Sequence, residues 1–212
     1  MSAHWNHVYE SRESDALSWF EPEPTTSLEL LDELAIVPDD AVLDIGAGES
    51  LLVDRLTARG FHDLTILDLS ATALAVTLAR VGPHVVTAID ADVTTWRPAR
   101  RYDVWHDRAV LHFIGPPRVR DYVETMHSAL SPGAKVVIGV FAPDGPTTCS
   151  GLEVTRYDAE DLTQLLGNGF DVVAARRARH VTPWGAEQSF QWVAAVRKGR
   201  ALSPSTPPRN GD

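Results

Sequence analysis

The sequence holds a single cysteine, Cys149, among 212 residues. No intramolecular disulfide can form, which suits a reducing compartment, and a cytoplasmic location is expected. No stretch approaches the roughly 18 consecutive apolar residues of a membrane span, so no membrane is expected as a partner. The opening Met1-Ser2-Ala3-His4-Trp5-Asn6-His7 lacks the basic stretch and apolar run of a secretory signal. Basic residues are scarce: 19 Lys and Arg stand against 29 Asp and Glu, a formal net charge of −10. That field opposes nucleic acid, whose binding needs a basic face to displace condensed counterions. Arg176, Arg177 and Arg179 are the best candidates for a local basic patch, and the plainer reading of them is a solvated strand edge. No Cys-x-x-Cys or His-x-x-x-His spacing occurs, so no metal site is expected.

What is present suffices for one folded domain. Apolar residues make up 44% and charged residues 23% of the chain, the proportions of a globular protein with a substantial core. A polar opening to about Pro24 carries Trp5, Tyr9, Trp19 and Phe20. Thr26 and Glu29 have capping-box spacing ahead of Leu28, Leu31 and Ala35 on one helical face, which Pro38 ends. From Ala41 onward, short apolar runs alternate with helical periodicity. Strands are expected at 41–45, 64–68, 84–89, 102–106 and 136–141. Helices are expected at 50–59, 71–80 and 119–130, with Gly60, Ser70 and Ser131-Pro132-Gly133 as their stops and caps. A long loop, 142–157, leads to a short helix capped by Asp158 and bearing Leu162, Leu165 and Leu166. Two β-like runs, 170–181 and 189–197, flank a turn at Pro183-Trp184-Gly185. The alternation predicts an α/β fold, a doubly wound sheet with helices on both faces, and the closing hairpin makes it mixed. Residues 199–212, rich in Pro, Ser and Gly, read as a disordered tail.

The chemistry concentrates in Val42-Leu43-Asp44-Ile45-Gly46-Ala47-Gly48-Glu49-Ser50. A strand ends, Gly46 and Gly48 make a tight turn, and a helix begins. Such a turn lies at the carboxyl ends of parallel strands, where doubly wound sheets bind ligands. A dinucleotide site wants a third glycine, and that position is Leu51. Asp44 and Glu49 would repel a pyrophosphate. S-adenosylmethionine carries an ammonium and a sulfonium and no phosphate, so the charges favour it, with Asp44 accepting from its amine. Asp68 ends the second strand, where a carboxylate can take both ribose hydroxyls, and Leu69 can cover one adenine face. Asp92 can accept the adenine amine, while the Val93 amide donates to a ring nitrogen. The competing reading makes all of these turn and cap residues, since Asp and Gly favour turns in any case.

These residues in this order resemble the class I S-adenosylmethionine-dependent methyltransferases over about Trp5 to Lys198. Val42 to Ser50 is similar to the first motif of that superfamily, with Ser50 where many members have a further glycine. Tyr102-Asp103-Val104-Trp105-His106-Asp107-Arg108-Ala109-Val110-Leu111 resembles the fourth motif of the thiopurine S-methyltransferase-like group, as does Arg120-Asp121-Tyr122. Trp5-x-x-x-Tyr9, Ser18-Trp19-Phe20 and Pro24 resemble the lid of small-molecule thiol and halide methyltransferases, and related lids occur in some protein-lysine methyltransferases. The resemblance implies a Rossmann-like mixed sheet of order 3-2-1-4-5-7-6 with an antiparallel C-terminal strand. It also implies a lid segment over residues 1–26 and a donor-binding domain over 27–198. The backbone around His106 would contact the methionine ammonium, and Arg108 would face the acceptor.

Methyl transfer from a sulfonium is an in-line displacement that asks the protein to hold donor and acceptor collinear and to exclude water. A thiol acceptor reacts as thiolate, which a nearby cation favours; an amine needs a base. Asp107 and Arg108 are candidates for the acceptor site, or for an ion pair at a strand end. His112 and His180 are candidate bases. Trp5, Tyr9, Trp19 and Phe20 can form a lid whose rings attract the sulfonium, with Trp19 the preferred contact to the donor. Cys149 is either a buried apolar residue or a substrate-facing one. The expected activity is methyl transfer from S-adenosylmethionine to a small molecule, sulfur favoured, with S-adenosylhomocysteine as product. The alternatives are a protein-lysine N-methyltransferase and a non-catalytic nucleotide-binding protein of the same fold. A monomer or weak homodimer is expected.

Overall fold

The computed structural model describes residues 1–199. The expected tail, 199–212, therefore lies outside the described residues except for Gly199. The strands are β1 (Val42–Ile45), β2 (Leu64–Asp68), β3 (Val86–Asp90), β4 (Tyr102–Arg108), β5 (Leu130–Phe141), β6 (Thr148–Cys149), β7 (Leu152–Glu153), β8 (Phe170–Val181) and β9 (Glu187–Arg197). The helices are α1 (Ser2–Glu10), α2 (Thr25–Glu33), α3 (Leu52–Ala58), α4 (Ala71–Val81), α5 (Pro116–Ala129) and α6 (Ala159–Leu166). One seven-stranded sheet has the order β3-β2-β1-β4-β5-β9-β8. This is the expected 3-2-1-4-5-7-6, because the short hairpin β6-β7 takes two numbers of its own. Strands β1 to β5 run parallel and β9 is antiparallel to both neighbours.

Alternation along the strands builds two cores. Leu43, Ile45, Trp105, Val136 and Ile138 pack under Tyr122 and Met126 of α5 and Leu162 and Leu166 of α6. Val42, Leu64, Ile66, Val104 and Val137 pack against Leu30 and Leu31 of α2, Leu52 and Leu56 of α3 and Leu74 of α4. Helices cover both faces because both faces of the central parallel strands are apolar.

Several local expectations change. The N-terminal segment contains a full helix, α1, which the sparse apolar residues there did not signal. Its Asn6 accepts a hydrogen bond from Ser70, and Ser2 donates to the Leu69 carbonyl, so polar contacts at the start of α4 join the packing of Tyr9, Trp5 and Val8 with Ala73 in docking α1. The capping box at Thr26 does not form: α2 begins at Thr25 without a side-chain cap. Leu34 is buried in place of Ala35, whose φ of 52° has already left the helix. Ser70 and Asp158 cap α4 and α6 as expected. Strand β5 begins early, at Leu130; Tyr102 pairs with Leu130 but Val104 with Lys135, so Ser131-Pro132-Gly133 bulges from the edge of the pairing. The long loop carries the β6-β7 hairpin, whose Ser150 and Gly151 both have positive φ, as a two-residue hairpin turn demands.

Strand β8 is the sheet edge that bears the arginines. Arg176 pairs with Glu29 and Glu33, Arg177 with Asp144, and Arg179 with Glu187. Each guanidinium meets a carboxylate, so the run does not form a basic patch. No helix among the described residues is long and apolar enough to cross a membrane.

Candidate functional site

A large cavity opens at the carboxyl ends of β1, β2 and β4, with about 1200 Å³ of empty space including its mouth. The turn after β1 forms its floor. Gly46 has a φ of +63° and its amide donates to the Leu67 carbonyl at 2.7 Å. Val110 occupies the space where a Cβ on Gly46 would sit. Gly46 thus serves both turn conformation and close packing. Gly48 does not line the cavity; its amide donates to Asp68 Oδ2 at 2.8 Å, and Tyr9 packs directly against it.

The strand-end carboxylates differ in what already holds them. Asp44 is buried, with Oδ1 2.7 Å from His106 Nδ1. Asp68 accepts from the amides of Gly48 and Ser70, and burial pushes it up to about 6 against the pull of those bonds. Asp92 bonds to the Thr94 amide and hydroxyl and to Arg118 at 2.6 Å. Burial raises Asp92, but the bonds from Arg118 and Thr94 outweigh it and hold the carboxyl below its ordinary value. Asp44, Asp68, Leu69, Asp92, Val93 and His106 all line the cavity. Asp92 reaches it already committed to Arg118, a partner the sequence did not indicate.

At the end of β4, neighbouring residues point to opposite faces. Asp107 does not line the cavity. It is wholly buried on the α5 side, where its oxygens accept from Tyr122 Oη at 2.6 Å and from the Val110 and Leu111 amides. Burial pushes it up to about 6 while those bonds resist. It caps the turn after β4 and forms no ion pair with Arg108. Arg108 does line the cavity. Its guanidinium donates to the Trp19 carbonyl at 2.7 Å, lies 3.0 Å from Glu21 and stands 5.5 Å over the Phe190 ring. Its Nε has no partner among the described residues.

The two candidate bases stay off the cavity. His112 is buried, Nδ1 accepts from the Phe141 amide at 3.2 Å, and burial, then Arg108, pull its pKa down to about 3. It is a neutral core residue. His180 is also buried; Nε2 donates to the Ser18 carbonyl at 2.6 Å and Nδ1 is 3.2 Å from Glu21. Arg108 and His180 together hold residues 18–21 across the ends of β4 and β8.

The N-terminal segment supplies the cavity roof with Trp5, Tyr9 and Trp19, but not Phe20, which packs beside Leu17. Trp5 stands edge-on to Trp19 at 6.0 Å and to Phe113 at 4.9 Å. Burial, then Asp68 and Glu49, keep the Tyr9 hydroxyl protonated far above its ordinary pKa. Phe141 and Phe190, 4.9 Å apart, form a second aromatic wall, with Cys149 and Gln188 also on the lining. Neither phenylalanine is singled out by the sequence. Phe141 closes a parallel strand, which was the available signal of a ligand-facing position.

The cavity thus joins a carboxylate-rich floor to an aromatic chamber. Residues 42–133 match the family model described as a methyltransferase domain. Over this stretch the chain is similar to a methyltransferase domain. The match begins at β1 and runs past α5 into the first residues of β5, so it takes in the glycine turn and all three strand-end carboxylates. No curated protein matches the chain in sequence. Among solved structures, the protein described as converting a disulfide bond into a thioacetal group in echinomycin biosynthesis is similar at 21% identity. The alignment covers 93% of each chain, with a TM-score of 0.74. The Burkholderia thailandensis 1,6-didemethyltoxoflavin-N1-methyltransferase, bound to its namesake and S-adenosylhomocysteine, is 22% identical over 93% of this chain and 84% of its own, with a TM-score of 0.70. The N-methyltransferase NodS of Bradyrhizobium japonicum is 17% identical over 93% and 99%, also with a TM-score of 0.70. At these identities the likeness is one of fold.

Proposed function

We propose that this chain is a methyltransferase that passes the methyl group of S-adenosylmethionine to a small-molecule acceptor, sulfur favoured, and releases S-adenosylhomocysteine. The donor assignment rests on charge at the cavity floor. Asp44 and Asp68 line it without a guanidinium or ammonium bound to either. A cationic nucleoside fits such a floor, and a phosphate is repelled. Asp68 and Leu69 would take the ribose and adenine face, Val93 the ring, and Asp44 the amine. The Burkholderia thailandensis protein of the same fold binds S-adenosylhomocysteine.

The acceptor assignment rests on Arg108 beside Cys149. Burial raises the Cys149 thiol above its ordinary value, and bonds to Ser18 and Ser150 and the charge of Arg108 offset only part of that rise. A substrate thiol that reaches the Arg108 guanidinium itself would gain more stabilisation as thiolate from that cation than Cys149 does. The aromatic roof and walls exclude water from the displacement. No base is required by this scheme, which suits the positions of His112 and His180 away from the cavity.

The test is incubation of the chain with methyl-labelled donor and parallel panels of thiols, amines and hydroxyl compounds, followed by mass spectrometry. S-methyl products support the reading. Label on amines or hydroxyls alone removes the sulfur preference, and label on lysate proteins alone favours a protein substrate. Tight S-adenosylhomocysteine binding without transfer to any acceptor leaves a binding protein.

A further inference from the structure

A buried chain of three side chains runs from α2 to the cavity. Parallel pairing sets Asp44 of β1 opposite His106 of β4, and strand alternation points both toward the face that α2 covers. His106 Nδ1 lies 2.7 Å from Asp44 Oδ1, and Nε2 lies 2.9 Å from Ser27 Oγ. Ser27 and His106 are only 1% and 2% exposed. A carboxylate accepts, so Nδ1 carries the proton and donates to Asp44. In the neutral ring Nε2 is then an acceptor, and the Ser27 hydroxyl donates to it. Two bonds therefore fix the ring's tautomer and its plane. Asp44 Oδ2 accepts no hydrogen bond from a described residue, and Asp44 lines the cavity.

We propose that Ser27 and His106 are positioning residues for the donor: they hold the Asp44 carboxylate so that Oδ2 receives the ammonium of the donor's amino-acid end. This rests on the S-adenosylmethionine reading above. The carboxylate torsion of an aspartate is broad and soft. Locking it in advance lowers the ordering cost of binding and leaves one oxygen for the ligand. Neither Ser27 nor His106 reaches the strand ends at Asp68, Leu69 and Val93, where the nucleoside is placed. Their effect should follow the amino-acid end of the ligand alone.

Calorimetry on the full chain with two ligands tests this. S-adenosylhomocysteine has the amino-acid end; methylthioadenosine shares its nucleoside and thioether but lacks it. Ser27→Ala is expected to weaken S-adenosylhomocysteine roughly tenfold, the size of one lost charge-assisted contact. Methylthioadenosine should stay within about twofold of its original affinity, since it makes no such contact. Ser27→Thr, which keeps the hydroxyl, should restore most of the loss. His106→Asn, whose amide can stand in for Nδ1–H, should lose less than His106→Leu. Equal weakening of both ligands in Ser27→Ala marks a merely structural role and overturns the proposal, as does unchanged S-adenosylhomocysteine affinity. If the unsubstituted chain fails to bind S-adenosylhomocysteine, the donor assignment itself falls and takes this inference with it.

Discussion

The Tyr9 phenol, carried by the N-terminal helix, fills the space that a Cβ on Gly48 would need. The roof of the cavity and the glycine turn of its floor are therefore in direct contact. Gly48 also has a φ of +51°, where a side chain is strained whatever the space around it. Two separate costs meet at one residue.

Gly48→Ala is expected to destabilise the fold by about 2–5 kcal/mol, the sum of left-handed strain and overpacking. Adding Tyr9→Ala should recover the overpacking part and leave the strain. A double-mutant cycle by denaturant melting measures the coupling. Strict additivity would mean that Tyr9 does not bear on the turn.

Asp107 is expected to matter for stability and not for methyl transfer. Asp107→Asn should cost about 1–3 kcal/mol, because a wholly buried acceptor of three hydrogen bonds is compromised. Tyr122→Phe should cost less, and the pair should be less than additive. Folded Asp107→Asn should retain S-adenosylhomocysteine affinity within about threefold, since the group does not reach the cavity. A selective loss of turnover without a loss of melting temperature would return Asp107 to the chemistry.

The pH dependence of donor binding should track Asp68, whose carboxyl burial raises to about 6. Ribose hydroxyls need the carboxylate as acceptor, so S-adenosylhomocysteine affinity should fall as pH drops below that value. The stability effect has the opposite sign. A carboxyl raised in the folded state contributes stability that is fully present below its unfolded pKa and lost as pH rises through about 6. Asp68→Asn should therefore flatten the pH dependence of both melting and binding through this range; its amide nitrogen cannot accept from the Gly48 or Ser70 amide, so it should also cost about 1–3 kcal/mol and bind the ligand less well at neutral pH. Calorimetric titrations and melts across that range decide it. Affinity flat through pH 6 would separate Asp68 from the ligand.

The sheet was legible in the sequence because each strand carries its own signal. Val42 to Ile45, Leu64 to Asp68 and Tyr102 to Arg108 are short apolar runs closed by charged or glycine positions, and helical periodicity lies between most of them. Gly46, Asp44, Asp68, Leu69, Asp92 and Val93 were legible for the same reason: strand ends in a doubly wound sheet face the crevice. The residues of the β4 end were not. Asp107 and Arg108 are adjacent and equally charged in magnitude, and only the alternation of the strand sends one into the core against Tyr122 and the other to the cavity. His112 and His180 could not be told from bases, because burial and carbonyl or amide partners are set by elements distant in the chain.

The amino-acid order alone thus determined the alternating pattern, the sheet and the acidic, glycine-bearing floor, since these follow from local periodicity and from which residue types permit a tight turn. Which side chains meet across that floor was decided only by the fold. Ser27 lies 79 positions from His106 and His106 lies 62 from Asp44, and Trp19 and Phe190 come to one cavity from opposite ends of the chain. Contacts of that kind depend on strand register and helix docking, which no local window of residues encodes.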